Sequence, residues 1–230
     1  MTMTMTTTAA RSGRSFDGFS EATFRFLRGL SENPSKSFWE SHRDEWCRDV
    51  LAPMERLLAG LEPEFGAGKV LGMRRDNRFS PDLSPYKTFL GAVVSLDNGM
   101  CYYVEISAGG MTAAGGWKFN HPPDQVERYR TAVDAGESGE ALARIASRLR
   151  DKGFALTGDQ IKTVPRGFPP DHPRAEWLRF KTICAEVHWP VDEWMYTEEA
   201  LRRVAGAWRE TRPLVDWLGT HVGPSGWNCR

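Results

Sequence analysis

Two β-rich runs, Thr88 to Leu96 and Met100 to Ala108, are separated by Asp97-Asn98-Gly99, and this triplet constrains the fold more than any other stretch. Asn-Gly between alternating apolar residues is a strong short hairpin signal, because both side-chain-poor positions accept the positive φ of a tight turn. Taking Asn98 and Gly99 as the two loop residues sets Ala92 opposite Glu105 and Val94 opposite Tyr103. In that register a carboxylate, Glu105, lies among small and apolar neighbours and faces a pocket or the interior.

Helical periodicity surrounds this hairpin. Phe24, Phe26, Leu27 and Leu30 keep helical spacing after Ser20, whose capping box lacks the usual Glu or Gln three residues on. Past the break at Asn33-Pro34, a second stripe runs from Phe38 and Trp39 through His42, Trp46, Val50, Leu51 and Met54 towards Leu61, with Pro53 expected to kink or divide it. Downstream, Gln125 to Ala135 and Glu140 to Lys152 read as packing helices, and a last helix covers about Glu198 to Leu218. A short strand is expected from Gln160 to Val164, and another from Ile183 to His188 that Trp189-Pro190 should stop. Gly109-Gly110 and Gly115-Gly116 are expected to bracket a loop of tight turns ending in Trp117-Lys118-Phe119, with Trp117 as an exposed platform. The other tryptophans of helical stripes, Trp39, Trp46, Trp177, Trp208 and Trp217, are expected in the core. The fold class is α+β: a central, partly antiparallel sheet with its hairpin near 88–108, flanked by helices. Residues 16–221 form one domain, with a disordered tail at 1–15 and a loose one at 222–230.

Composition narrows function mainly by exclusion. Thirty basic side chains balance thirty acidic ones, so no global field gathers nucleic acid or anionic membrane, and any attraction for anions is local. No apolar run approaches the roughly 18 residues of a membrane helix. Cys47, Cys101, Cys184 and Cys229 have no C-x-x-C spacing and read as free or buried thiols of a reducing cytoplasm. The five histidines show no H-x-x-x-H or H-E-x-x-H spacing, so no metal and no cofactor is expected. P-loop, Rossmann, nucleophile-elbow and kinase signatures do not occur, and oligomeric state is not legible.

The chemistry concentrates in MRRDNRFSPDLSPYKTF, residues 73 to 89. Arg74, Arg75, Arg78 and Lys87 share this stretch with two carboxylates, Asp76 and Asp82, and with Pro81 and Pro85, which restrict the backbone. Guanidinium groups match phosphate and carboxylate with paired donors, so a pocket for an anionic small molecule is one reading. In it Arg75, Arg78 and Lys87 hold the ligand, Asp76 and Glu105 orient the cations or act as acid and base, and Tyr86 donates a hydrogen bond. A second reading is a binding module for a nucleic-acid backbone or an acidic protein, and a third is a structural ion-pair knot around Asp76. The loop PRGFPPDHP, residues 165 to 173, stiffened by four prolines, adds Arg166 as a ligand residue and His172 as a base, with Asp171 as a helix cap or its partner.

The same segment resembles the bacterial and fungal family known as domain of unknown function 2461, marked by R-x-x-R-D-x-R-F-x-x-x-K-x-P-Y. Arg75, Asp76, Arg78, Phe79, Pro85 and Tyr86 match that pattern, whereas its leading arginine falls on Gly72 and its lysine on Leu83. The resemblance continues through Phe38-Trp39, through Tyr102-Tyr103-Val104 with its glycine loop, and through Pro165-Arg166-Gly167-Phe168 with Asp171-His172-Pro173. It implies a shared constellation of arginine, aspartate, tyrosine and proline, and brings no established activity.

Overall fold

A computed structural model describes residues 15–75 and 84–225. Strands β1 (Lys69–Val70), β2 (Phe89–Ser95), β3 (Cys101–Ser107), β4 (Gly110–Trp117), β5 (Ala155–Thr157) and β6 (Ile183–Pro190) form one six-stranded sheet in the order β1-β2-β3-β4-β6-β5. Every pairing between these strands is antiparallel, so the sheet is antiparallel throughout rather than in part. The α+β class stands.

The hairpin forms where expected but in a different register. Gly99, at φ +82°, donates to Leu96 O (3.0 Å), and Leu96 donates to Met100 O (2.9 Å), so Asp97-Asn98-Gly99 is a three-residue loop with its single left-handed residue at glycine. Asn98 instead accepts the Met100 N–H on its side chain (3.0 Å). The extra loop residue moves each pairing by one: Gly91 opposes Glu105, Val93 opposes Tyr103, and Ala92 opposes Val104. Because strand side chains alternate, the shift sends Ala92 and Val94 into the core with Tyr102, Val104 and Ile106.

The glycine-rich stretch is strand β4, at the centre of the sheet, not a loop. A Cβ at Gly115 would sit 2.1 Å from Thr211 Oγ1 of helix α8 (Glu199–His221), so glycine there lets the helix lie directly on the sheet. Helix α8 buries Val204, Trp208, Thr211, Leu214, Val215 and Leu218 on that face. Trp208 stacks on Tyr102, with ring centres 5.3 Å apart, and its indole N–H donates to Tyr103 O (3.0 Å). Trp117 is 1% exposed and packs in this core, which overturns its expected role as an open platform.

Helix α1 (Glu21–Glu32) starts with a complete capping box, because Thr23 substitutes for the missing Glu: Ser20 N donates to Thr23 Oγ1 (3.1 Å) and Thr23 N to Ser20 Oγ (3.3 Å). The second stripe divides into α2 (Lys36–Ser41), α3 (Arg43–Trp46), a π-helical turn (Cys47–Leu51) and α4 (Ala52–Phe65). Pro53 stands in the first turn of α4, just after the π-helical turn, so its missing N–H is met by a widened helix rather than a break. Helices α5 (Pro123–Asp134) and α6 (Gly136–Asp151) complete the layer over the sheet, followed by the single-turn α7 (Ala175–Leu178). The strand expected at Gln160 to Val164 lies earlier, as β5, leaving an isolated bridge from Gln160 to Phe180. Strand β6 continues through Trp189 to Pro190, whose lack of an N–H is tolerated at the terminal pair with Gly110.

The two sheet faces differ. The large core and all its helices lie on one side, while the other carries a small cluster, Val93, Cys101, Tyr103 and Ala114 with Leu71, to which no helix contributes. Among the described residues no helix is long and apolar enough to cross a membrane.

Candidate functional site

The arginine segment enters and leaves the sheet as a two-stranded ribbon. Leu71 N donates to Gly91 O (2.8 Å), Lys87 N to Met73 O (2.8 Å) and Arg75 N to Pro85 O (3.1 Å), while Arg74 and Tyr86 form an antiparallel bridge. Alternation along such a ribbon puts Arg74 and Tyr86 on one side and Arg75 and Lys87 on the other. Asp76, Arg78, Phe79 and Leu83 lie outside the described residues.

On the helical side, the ribbon faces the segment from α2 to α4 across a cleft of ≈ 490 Å³. Tyr86 is buried and stacks on Trp39 with ring centres 4.8 Å apart and planes 17° apart; Trp39 in turn meets Trp46 at 5.1 Å and 55°. Trp39, Arg43 and Trp46 fall at helical spacing along α2 and α3 and line the cleft together with Arg74, Tyr86 and Glu55. Arg43, Arg74 and Glu55 are exposed, and among the described residues none of the three makes an ion pair. The Tyr86 hydroxyl likewise makes no hydrogen bond among the described residues. Two guanidinium groups and one carboxylate therefore share an aromatic-walled recess with positive surplus.

Glu105 belongs to the opposite face of the sheet. Its Oε2 accepts the Tyr103 hydroxyl at 2.6 Å. Burial, and then this carboxylate acceptor, push the Tyr103 phenol far above its ordinary value, so it stays protonated. Lys118 Nζ lies 4.5 Å from the Tyr103 ring centre and 3.7 Å from Glu186 Oε2. The next row places Thr112 between Glu105 and His188, with Thr112 Oγ1 3.1 Å from His188 Nδ1. Lys87 Nζ lies 5.8 Å from the Phe89 ring centre, on the ribbon side opposite Tyr86. Burial raises the Cys101 thiol to about 11 and the Cys184 thiol further, which makes both poor nucleophiles. Among the described residues no cluster of His, Cys, Asp and Glu suits a metal ion.

The proline loop is tied down elsewhere. His172 Nδ1 accepts the Arg174 N–H (3.0 Å) and its Nε2 meets Asp134 Oδ1 at the end of α5 (3.1 Å). That arrangement specifies the tautomer, with the proton on Nε2, and engages both ring nitrogens. Arg174 donates through Nε to Val133 O and through Nη2 to Asp134 O, both at 2.6 Å, and so satisfies carbonyls that the end of α5 leaves without helical partners. Asp171 and Arg166 are exposed. The expected site residues thus separate into three places: Arg74 and Tyr86 at the cleft, Glu105 with Lys87 on the far side of sheet and ribbon, and His172 with Arg166 in the proline loop.

Sequence reasoning assigned Trp39 and Trp46 to core packing and passed over Arg43 and Glu55. The signal for Arg43 was present: it sits four residues after Trp39 and three before Trp46, on the apolar stripe itself.

The profile of a family described as Conserved hypothetical protein (DUF2461) matches residues 22–217. No curated protein and no solved structure matches the chain.

Proposed function

The chain belongs to the DUF2461 family, and from the geometry of its cleft we propose that it binds an anionic small molecule, bearing a phosphate or a carboxylate, between the arginine ribbon and the α2–α4 segment. The observation that carries this reading is that Arg43 and Arg74 line one recess with no acidic partner among the described residues. An unpaired guanidinium keeps all its donors for a ligand, and two of them converging give paired, charge-assisted hydrogen bonds. The Tyr86 hydroxyl adds a neutral donor at the same wall. The ribbon is held by backbone hydrogen bonds and by the Trp39 stack, so little order has to be gained when the ligand arrives.

Binding, rather than bond breaking, is the function proposed. Glu105 lies across the sheet from the cleft, and His172 has both nitrogens engaged, so neither supplies a base there. Among the described residues three thiols are unpaired, one of them the exposed Cys47; this suits a reducing compartment, and the cytoplasm is proposed on that ground.

The test is thermal stabilisation by inorganic phosphate, glycerol 3-phosphate and acetate, compared between the wild type and Arg74→Ala. The expected result is a concentration-dependent rise in the unfolding midpoint that Arg74→Ala loses while unfolding at the wild-type temperature without ligand. Equal anion response in both proteins overturns the reading.

A further inference from the structure

Resting on the anion-binding reading of the same cleft, we infer that its ligand is not a bare anion but a flat aromatic ring joined to the anionic group. An isolated phosphate needs cations and N–H donors and gains nothing from aromatic walls. This recess is ≈ 490 Å³, many times the room that one phosphate occupies, and falls in the range of sites for organic ligands. Tyr86 lies buried beneath Trp39, and the half-buried Trp39 and Trp46, tilted 55° to each other, form an angled aromatic corner. A planar ring stacked on one of these indoles meets the other at their mutual tilt of 55°, so it gains aromatic contact with both.

The charges orient such a ligand. Arg43 and Arg74 take the anionic group. Glu55, also on the wall and unpaired among the described residues, is a hydrogen-bond acceptor that repels a second negative charge. It therefore favours a ring whose edge carries an amino or imino N–H, and disfavours polyanions. Two sources share this chemistry: nucleoside monophosphates, and nitrogen heterocycles bearing a carboxylate.

Isothermal titration calorimetry on the full chain separates them. The probes are inorganic phosphate, glycerol 3-phosphate, acetate, adenosine 5′-monophosphate and indole-3-carboxylate, each run on the wild type, Trp39→Leu and Arg74→Ala. At least one aromatic anion is expected to bind tenfold or more tightly than the non-aromatic anion with the same charged group, with acetate matching the carboxylate. Trp39→Leu, which keeps apolar bulk, should abolish that preference by weakening the aromatic anion more than glycerol 3-phosphate; Arg74→Ala should weaken all anions alike. Which aromatic probe wins decides between phosphate and carboxylate. If Trp39→Leu does not fold, Trp46→Leu serves the same purpose. Equal affinity for aromatic and non-aromatic anions, or a preference that survives both tryptophan changes, overturns the inference while the anion site stands. Failure of every anion to bind the wild type overturns both.

Discussion

The chain contains two proline-stiffened segments rich in arginine and aromatic residues, and they come to opposite ends. At the end of the loop at 165–173 and just after it, two polar side chains are consumed by the protein: His172 by Asp134 and Arg174 N, Arg174 by two carbonyls of α5. In the ribbon, Arg74 faces a cleft with Arg43 opposite and no carboxylate bound to either among the described residues. Similar composition thus yields a clamp in one place and a candidate binding site in the other. The difference lies in what each element meets. Arg174 meets the end of α5, where carbonyls lack partners by construction, whereas Arg74 lines a cleft walled by indole rings, and the carboxylate there, Glu55, makes no ion pair among the described residues.

The contrast breaks first at Arg174. Its replacement by alanine strands the carbonyls of Val133 and Asp134, and a loss of about 2–3 kcal/mol is expected in urea unfolding, with anion binding unaltered. A loss as small as that of a surface substitution would mean that the clamp is ornamental. Arg74→Ala should do the reverse: roughly tenfold weaker anion affinity by calorimetry, with an unfolding free energy unchanged within about 0.5 kcal/mol. Destabilisation comparable to Arg174→Ala would make the ribbon a second clamp. His172→Ala removes one side-chain bond on each ring nitrogen, and about 1 kcal/mol of stability should go with them, again without effect on binding. The smallest effect comes from salt. Raising sodium chloride from ~0.05 to ~0.5 M should weaken anion binding several-fold by screening and competition, while the Arg174→Ala deficit, set by contacts to neutral carbonyls, stays constant.

Much of the scaffold was legible because it rests on local rules. The stripes of α1 and α8, the hairpin triplet and the absence of membrane-length apolar runs all follow from spacing and turn chemistry. Strand β4 was not legible, since its glycines read as turns until α8 is known to press Thr211 against Gly115. The hairpin register slipped by one for a smaller reason: whether Asp97 belongs to the loop is decided by how Leu96 and Met100 pair, and Asn-Gly alone does not fix it. At the cleft, arginine density singled out the ribbon, with Arg74 and Tyr86, on which the proposed site rests. It joined them wrongly to Glu105, because that conditional register placed Glu105 beside Ala92 when its partner is Gly91.

By itself, then, the sequence determined the long helices, the hairpin strands and where cationic chemistry is concentrated, since these depend on residues close together in the chain. Tertiary structure alone decided which arginines keep their donors free. Trp39 reaches Tyr86 from more than forty residues away, and Arg174 reaches Val133 across a similar gap. Whether a guanidinium meets a carbonyl or an indole at the end of such a path depends on packing that no local pattern encodes.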